Sequence, residues 1–86
     1  MPEISRFLGI SILMYYNDHE PAHVHARYGE HETRIALDTG RILSGELPRR
    51  ARQLVIEWVN LRRMELLNDW ELARARRPLK RVEPLE

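Results

Sequence analysis

Three of the four histidines lie within one short segment of the 86-residue chain. His19, His23 and His25 follow Asp18 with the spacing H-x3-H-x-H. Side chains two residues apart on a β-strand point to the same face of the sheet, so His23 and His25 would lie side by side. A loop containing Pro21 would bring His19 next to them. These three histidines are therefore the predicted catalytic or binding residues.

A metal ion is the first chemistry that this spacing indicates. Three imidazoles can bind zinc, nickel or iron, and Asp18 or Glu20 could supply a fourth ligand or an outer partner. The sequence requires no cofactor, and the one that the spacing allows is a divalent metal on His19, His23 and His25. Such a metal could also be purely structural.

Acid–base chemistry on a phosphate is the second interpretation, because imidazole titrates near neutral pH. The hairpin described below places Arg34 opposite His25, with Arg27 two residues further along the same face. Two guanidinium groups beside imidazoles disfavour a bound cation and favour an anion. With a nearby tyrosine, the set would suffice for metal-independent RNA cleavage. His19, His23 and His25 would then be catalytic, and Arg27 and Arg34 would bind phosphate. A solvent-facing strand without any chemistry would show the same pattern.

Residues 1–46 are predicted to form a β-meander of about five short antiparallel strands. The first two cover residues 4–8 and the run 10–16, with a bulge or bend at Gly9. Alternation over 23–38 predicts a hairpin around a two-residue turn at Gly29-Glu30, with Tyr28 opposite His31 and Val24 opposite Ile35. A second turn at Thr39-Gly40 would place Leu37 opposite Ile42, in a last strand that ends near residue 45.

Residues 47–77 are predicted to be helical. Pro48 suits a first helical turn, and an apolar stripe from Ala51 to Leu66 predicts one long helix. The run 68–71 resembles a helix cap, so a short second helix would cover about 69–77 and end at Pro78. Residues 78–86 would be an edge strand or a flexible tail. The predicted fold is a single α+β domain over 1–86, a meander packed on the long helix.

Composition excludes several classes of protein. The chain has no cysteine, which excludes disulfides, thiolate ligands and a cysteine nucleophile. It has no long apolar run and does not begin like a signal peptide, so we expect a cytoplasmic protein without membrane association. The net charge of +1 is the sum of −3 over residues 1–46 and +4 over 47–86. A core this small makes a homo-oligomer or a partner protein a reasonable expectation.

Motifs over essentially the whole chain resemble one family pattern. They are Pro2-x-Ile4-Ser5-Arg6-Phe7-x-Gly9-Ile10, Met14-Tyr15-x-Asn17-Asp18-His19-x-Pro21-x-His23-x-His25, Tyr28-Gly29, Gly45-x-Leu47-Pro48-x-Arg50-Ala51, Glu57-Trp58, Glu65-Leu66-Leu67-Asn68, Trp70-Glu71-Leu72-Ala73, Pro78-Leu79-Lys80 and Glu83-Pro84-Leu85. Together they resemble the small bacterial family catalogued as domain of unknown function 4160. Ala22 and Val24 depart from it, since the family usually has a second proline and often an aromatic residue there.

The resemblance implies a partner and a biological role. Members of that family are often encoded beside a second small protein, domain of unknown function 2442, in an arrangement typical of toxin–antitoxin modules. We therefore expect a toxin held by a small antitoxin-type protein and acting on RNA or DNA through the His/Arg face. The alternative is a non-catalytic module that binds a protein or a metal. A DNA-binding repressor that uses the basic C-terminal clusters is a third hypothesis, although the helix-turn-helix spacing is missing.

Overall fold

Five antiparallel strands form one sheet in the computed structural model, which describes residues 3–16 and 18–85. The strands are β1 (Glu3–Phe7), β2 (Ile10–Leu13), β3 (His23–Tyr28), β4 (His31–Ala36) and β5 (Ile42–Glu46). Their order in the sheet is their order in the chain, and each strand pairs antiparallel with the next. The predicted α+β meander is confirmed.

The central hairpin of β3 and β4 has the predicted register. Tyr28 pairs with His31, and Val24 pairs with Ile35. Val24 and Ile35 are fully buried, so an apolar face of the sheet packs against the core. Alternation then places His25 on the opposite face. The register was predictable because a slip of one residue would have exposed the apolar set.

The first hairpin differs from its prediction. Leu8 and Gly9 form a two-residue turn between β1 and β2, and both have positive φ, 51° and 81°. Positive φ at both central positions is typical of a type I′ turn, so Gly9 belongs to a turn rather than to a bulge. The strand predicted over 10–16 ends at Leu13, because the chain leaves the sheet there towards the loop that precedes β3. Asn17 lies outside the described residues.

The predicted pairing of Leu37 with Ile42 is wrong. Ile42 pairs with Ile35, and the register shifts between Arg34 and Ile35. A wider turn replaces the predicted one, because the Gly40 amide donates to the Ala36 carbonyl and the Ala36 amide donates to the carbonyl of residue 41. Leu37 itself is fully buried, and its amide donates to the carbonyl of residue 22.

Two helices follow the sheet, α1 (Arg49–Leu61) and α2 (Arg63–Arg74). The predicted single long helix is therefore interrupted at Arg62, whose φ and ψ of −108° and 22° are not helical. The predicted start of the second helix at 69 is also wrong, because Asp69 lies inside α2. The helix ends at Arg74, before the proline at 78. Periodicity missed the break because both helices turn their apolar side to the same core.

The C-terminal segment packs on the domain without forming a strand in the part that is described, up to Leu85. The Val82 amide donates to the Ile4 carbonyl over 2.8 Å, and the Trp58 indole donates to the Glu83 carbonyl over 2.8 Å. The predicted edge strand or flexible tail is thus replaced by an ordered segment. Glu86 lies outside the described residues. No helix in the described ranges has the length and apolar character needed to cross a membrane.

Candidate metal centre

Strand β3 and the loop before it bring one carboxylate and two imidazoles together. Asp18 Oδ2 lies 3.0 Å from His23 Nε2 and 3.1 Å from His25 Nε2. The three side chains each offer one ligand atom, and these atoms all lie within 4.8 Å of one another. The two histidines are neighbours because residues two apart on a strand share a face, and their ring centroids are 5.1 Å apart. We call this group the Asp–His–His cluster.

A hydrogen bond fixes the tautomer of one of the two imidazoles. His23 Nδ1 lies 2.7 Å from the carbonyl oxygen of Pro21. A carbonyl oxygen can only accept, so Nδ1 carries the proton and donates it. His25 Nδ1 lies 3.2 Å from Glu32 Oε2, which likewise accepts. In a neutral His23 ring, Nε2 therefore carries a lone pair that faces Asp18. The ring of His25 lies between two carboxylates, Glu32 at Nδ1 and Asp18 at Nε2, and either nitrogen can donate.

The nitrogen of His23 that faces Asp18 needs a positive charge beside it. A lone pair on that nitrogen and the negative carboxylate repel each other unless a proton or a metal ion lies between them. His23 is only 1% exposed, and its Nε2 makes no hydrogen bond with any residue that the structure describes. The distance from His23 Nε2 to Asp18 Oδ2 is short enough for a hydrogen bond, but the two groups are not aligned for one. His25 Nε2 is hydrogen-bonded to the same oxygen at 3.1 Å, so His23 Nε2 is the unsatisfied atom of the three, and a metal ion shared by all three would satisfy it.

The surroundings keep Asp18 ionised. Burial acts to raise the pKa of its carboxyl, but hydrogen bonds from His25 and the His19 amide, with the charges of the two imidazoles, outweigh burial and lower the pKa below its usual value. The side chain of Asp18 is 17% exposed and that of His25 is 13% exposed. One side of the cluster is therefore open to solvent, which leaves a route for a ligand or a water molecule.

Helix α2 holds the loop that carries Asp18. Glu20 accepts hydrogen bonds from the Trp70 indole at 3.5 Å and from the Arg74 guanidinium at 3.2 Å. The Trp70 ring also packs against His23, with centroids 5.3 Å apart. Glu20, which the sequence offered as a ligand or outer partner, therefore bonds to the helix instead.

The structure brings together some of the predicted site residues but not others. His23 and His25 meet in the cluster. His19 has an exposed side chain outside the cluster, and its backbone amide donates to Asp18 Oδ1 at 2.9 Å. Asp18, which the sequence offered as a supporting ligand, lies at the centre.

The two predicted phosphate-binding arginines have local partners. Arg27 donates to Glu32 Oε1 at 3.2 Å and to the Tyr15 hydroxyl at 3.1 Å. Arg34 donates to the Ser44 hydroxyl at 2.8 Å. Glu32 thus links Arg27 to the imidazole of His25. Its negative charge offsets the Arg27 guanidinium, one of the two arginines that disfavoured a bound cation in the sequence argument.

Sequence reasoning missed the role of Glu32. The predicted register, with Tyr28 opposite His31, implies that Glu32 lies opposite Arg27. The same register also puts it diagonally across from His25 on one face, which was the available signal. Its contact with Nδ1 is the type of outer-shell hydrogen bond that orients metal-bound histidines.

The donor set indicates which metals fit. Two imidazoles and one carboxylate are the ligands of catalytic zinc sites and of non-haem iron(II) sites, both of which keep positions open for water or substrate. Magnesium and calcium prefer sites made wholly of oxygen ligands. The Asp–His–His cluster is therefore suited to a first-row transition metal or zinc.

Comparison with known protein families gives a match over most of the chain. Residues 9–71 match the family described as Domain of unknown function (DUF4160). The matched segment contains the whole Asp–His–His cluster and Glu32. Comparisons with curated proteins and with solved structures found no match.

Proposed function

The chain belongs to the DUF4160 family, a domain of unknown function, and we propose that it binds a divalent transition metal through Asp18, His23 and His25. One observation carries the proposal. Among the described residues, the buried Nε2 of His23 has no hydrogen-bond partner, although Asp18 Oδ2 lies 3.0 Å away and accepts the hydrogen bond of His25 Nε2 at 3.1 Å. A shared metal ion satisfies all three atoms at once.

The proposed metal would act as a Lewis acid at an open site. Three protein ligands leave a position of tetrahedral zinc for water, and zinc lowers the pKa of such water to about 7. The partly exposed Asp18 and His25 mark the side from which water and substrate would arrive. Hydrolysis assisted by the metal is the reaction class that this arrangement supports best.

Calorimetric titration tests the metal site directly. Chelator-treated protein should bind one equivalent of zinc, and cobalt should give the visible spectrum of a low-coordinate site. Asp18→Asn and His25→Ala should each abolish this binding. The matched controls His19→Ala and His31→Ala remove imidazoles outside the cluster and should leave it intact. Absence of binding for zinc, cobalt, manganese and iron(II), or equal loss in a control, would overturn the proposal.

The toxin hypothesis stays a prediction, and one feature of the site supports it. Arg27 is 42% exposed and lies beside the cluster, so its guanidinium could meet a phosphate of RNA or DNA at the metal. An antitoxin-type partner would then neutralise the protein. Expression of the wild type in a bacterial host should arrest growth with loss of RNA integrity. The His23→Ala/His25→Ala variant should be harmless, and normal growth with the wild type would refute toxicity while leaving metal binding untouched.

A further inference from the structure

An apolar groove lies away from the metal centre, between the β1–β2 turn, the end of β3 and the start of α1. Its volume is about 250 Å³, and its lining includes Leu8, Tyr28, Pro48, Leu54 and Arg50. None of the cluster residues contributes to it. The groove and the proposed metal site therefore share no residue.

Two residues at the rim are difficult to explain by folding alone. Leu8 is 54% exposed and occupies a left-handed conformation, with φ 51°. Asparagine, aspartate or glycine is strongly preferred at this position of a type I′ turn, because the Cβ of other residues is crowded there. Tyr28, at the end of β3, is 38% exposed. A strained and exposed leucine beside an exposed tyrosine indicates a contact surface.

The charges next to the groove are unusual for a helix start. The first turn of α1 contains Arg49, Arg50 and Arg52, with no acidic residue and no side-chain cap. All three arginines are exposed, and within the described residues none of them forms an ion pair. The helix dipole makes this end positive, so the three cations oppose it. A negatively charged partner would relieve that repulsion.

We propose that this groove binds a segment of another protein that combines acidic residues with an apolar anchor. The anchor would occupy the space beside Leu8, Tyr28 and Leu54, and the acidic residues would pair with Arg49 and Arg50. Charge complementarity selects an acidic partner. Most of the lining is aliphatic, which favours an apolar peptide side chain. Tyr28 and Arg50 could also stack on a nucleic acid base, and the RNA competition below tests that alternative.

Selection from a displayed library of random 12-residue peptides tests the groove on the full chain. Enriched peptides should carry a net negative charge together with leucine, isoleucine or an aromatic residue. In fluorescence anisotropy, a selected peptide should bind the wild type with an affinity that falls as salt rises. Leu8→Asn and the double variant Arg49→Gln/Arg50→Gln should each weaken this binding at least tenfold.

Matched control variants distinguish binding in the groove from non-specific binding to exposed apolar or charged side chains. Leu61→Gln and Arg41→Gln remove an exposed leucine and an exposed arginine elsewhere and should leave peptide binding unchanged. Leu8→Asn should fold normally, because asparagine tolerates positive φ better than leucine. Circular dichroism of every variant checks this.

Four outcomes would overturn the proposal. They are the absence of enriched peptides, enrichment of neutral or basic peptides, binding that Leu8→Asn leaves unchanged, and displacement of the peptide by an RNA oligonucleotide that itself binds the arginines. Analytical ultracentrifugation of the wild type tests the remaining candidate occupant, a second copy of the chain. A dimer that Leu8→Asn dissociates would assign the groove to a second copy of the chain.

Discussion

Two aspartates differ in what their carboxylates face, although both are removed from most of the solvent. Asp18 lies in the loop before β3, and both of its oxygens have polar neighbours, the His19 amide on one side and two imidazole nitrogens on the other. Asp69 lies on α2 and is 1% exposed. One of its oxygens accepts the Lys80 amide at 3.0 Å, and the other is buried with no hydrogen-bond partner in the part of the chain that is described.

The pKa values of the two carboxyls move in opposite directions as a result. Burial is the largest influence on both and raises the pKa of each. For Asp69, burial outweighs the Lys80 amide and charge, and the nearby negative charge of Glu65 adds to it, so the pKa is raised. For Asp18, the hydrogen-bond donors and the charges of the imidazoles outweigh burial, and the pKa is lowered. Burial alone therefore does not determine the direction in which the pKa of a carboxyl moves. The number and the charge of its hydrogen-bond partners determine it.

The largest expected effect separates the two carboxylates by metal affinity. Asp18→Asn should weaken zinc binding by more than about 100-fold, since loss of an outer-shell partner alone typically costs roughly 10–100-fold. Asp69→Asn should bind zinc like the wild type, because Asp69 lies outside the cluster. Calorimetry on both variants provides the measurement. Equal affinities would remove the distinction between them.

A smaller loss is expected when the outer partner of His25 changes. Glu32→Gln keeps a hydrogen-bond acceptor for Nδ1 but removes the charge that orients and polarises the imidazole. Zinc affinity should fall roughly 10–100-fold. Glu30→Gln is the matched control, an exposed carboxylate in the adjoining turn. If the two variants bind zinc equally well, Glu32 serves only its ion pair with Arg27.

The third prediction concerns how the stability of the chelator-treated protein depends on pH through Asp18. The lowered pKa of Asp18 means that the unfolded chain binds more protons than the folded protein. The ionised carboxyl of Asp18 therefore stabilises the fold fully above its unfolded pKa of about 3.9. This contribution is lost as pH falls through the folded pKa. Asp18→Asn should cost about 1–2 kcal/mol near pH 6, as expected for a charged hydrogen-bond acceptor that is partly exposed. Urea denaturation should show the difference shrinking below the unfolded pKa. A constant difference at all pH values would contradict this account.

The sequence predicted the two histidines of the site but not the position of its carboxylate. Alternation along β3 determines that His23 and His25 share a face, and complementary apolar positions determine the pairing with β4. Asp18 and His19 lie in a loop, where no period says which side chain turns inward. The structure turns Asp18 in and leaves His19 exposed.

Local motifs were weakest where a tertiary contact decides the conformation. The run 68–71 has the residues of a helix cap, yet Asp69 accepts the amide of Lys80 from the C-terminal segment. An acidic residue next to an asparagine can cap a helix, or it can accept a hydrogen bond from a distant segment from a position inside a helix. The break at Arg62 was equally invisible, because Trp58 and Leu66 remain on the buried side before and after it.

The smallest expected effect concerns Asp69 and has the opposite sign. Its raised pKa means that the folded protein binds more protons than the unfolded chain, so stability falls as pH rises from the unfolded pKa through the folded value. Asp69→Asn keeps an acceptor for the Lys80 amide and removes the buried charge. The variant should therefore be more stable at pH 7, by about 1 kcal/mol, and the gain should vanish at acidic pH, where the wild-type carboxyl is protonated. Paired urea titrations at pH 3 and pH 7 measure it. A less stable variant at pH 7 would mean that the second oxygen of Asp69 has a partner that the amide cannot replace, and the two carboxylates would then be alike.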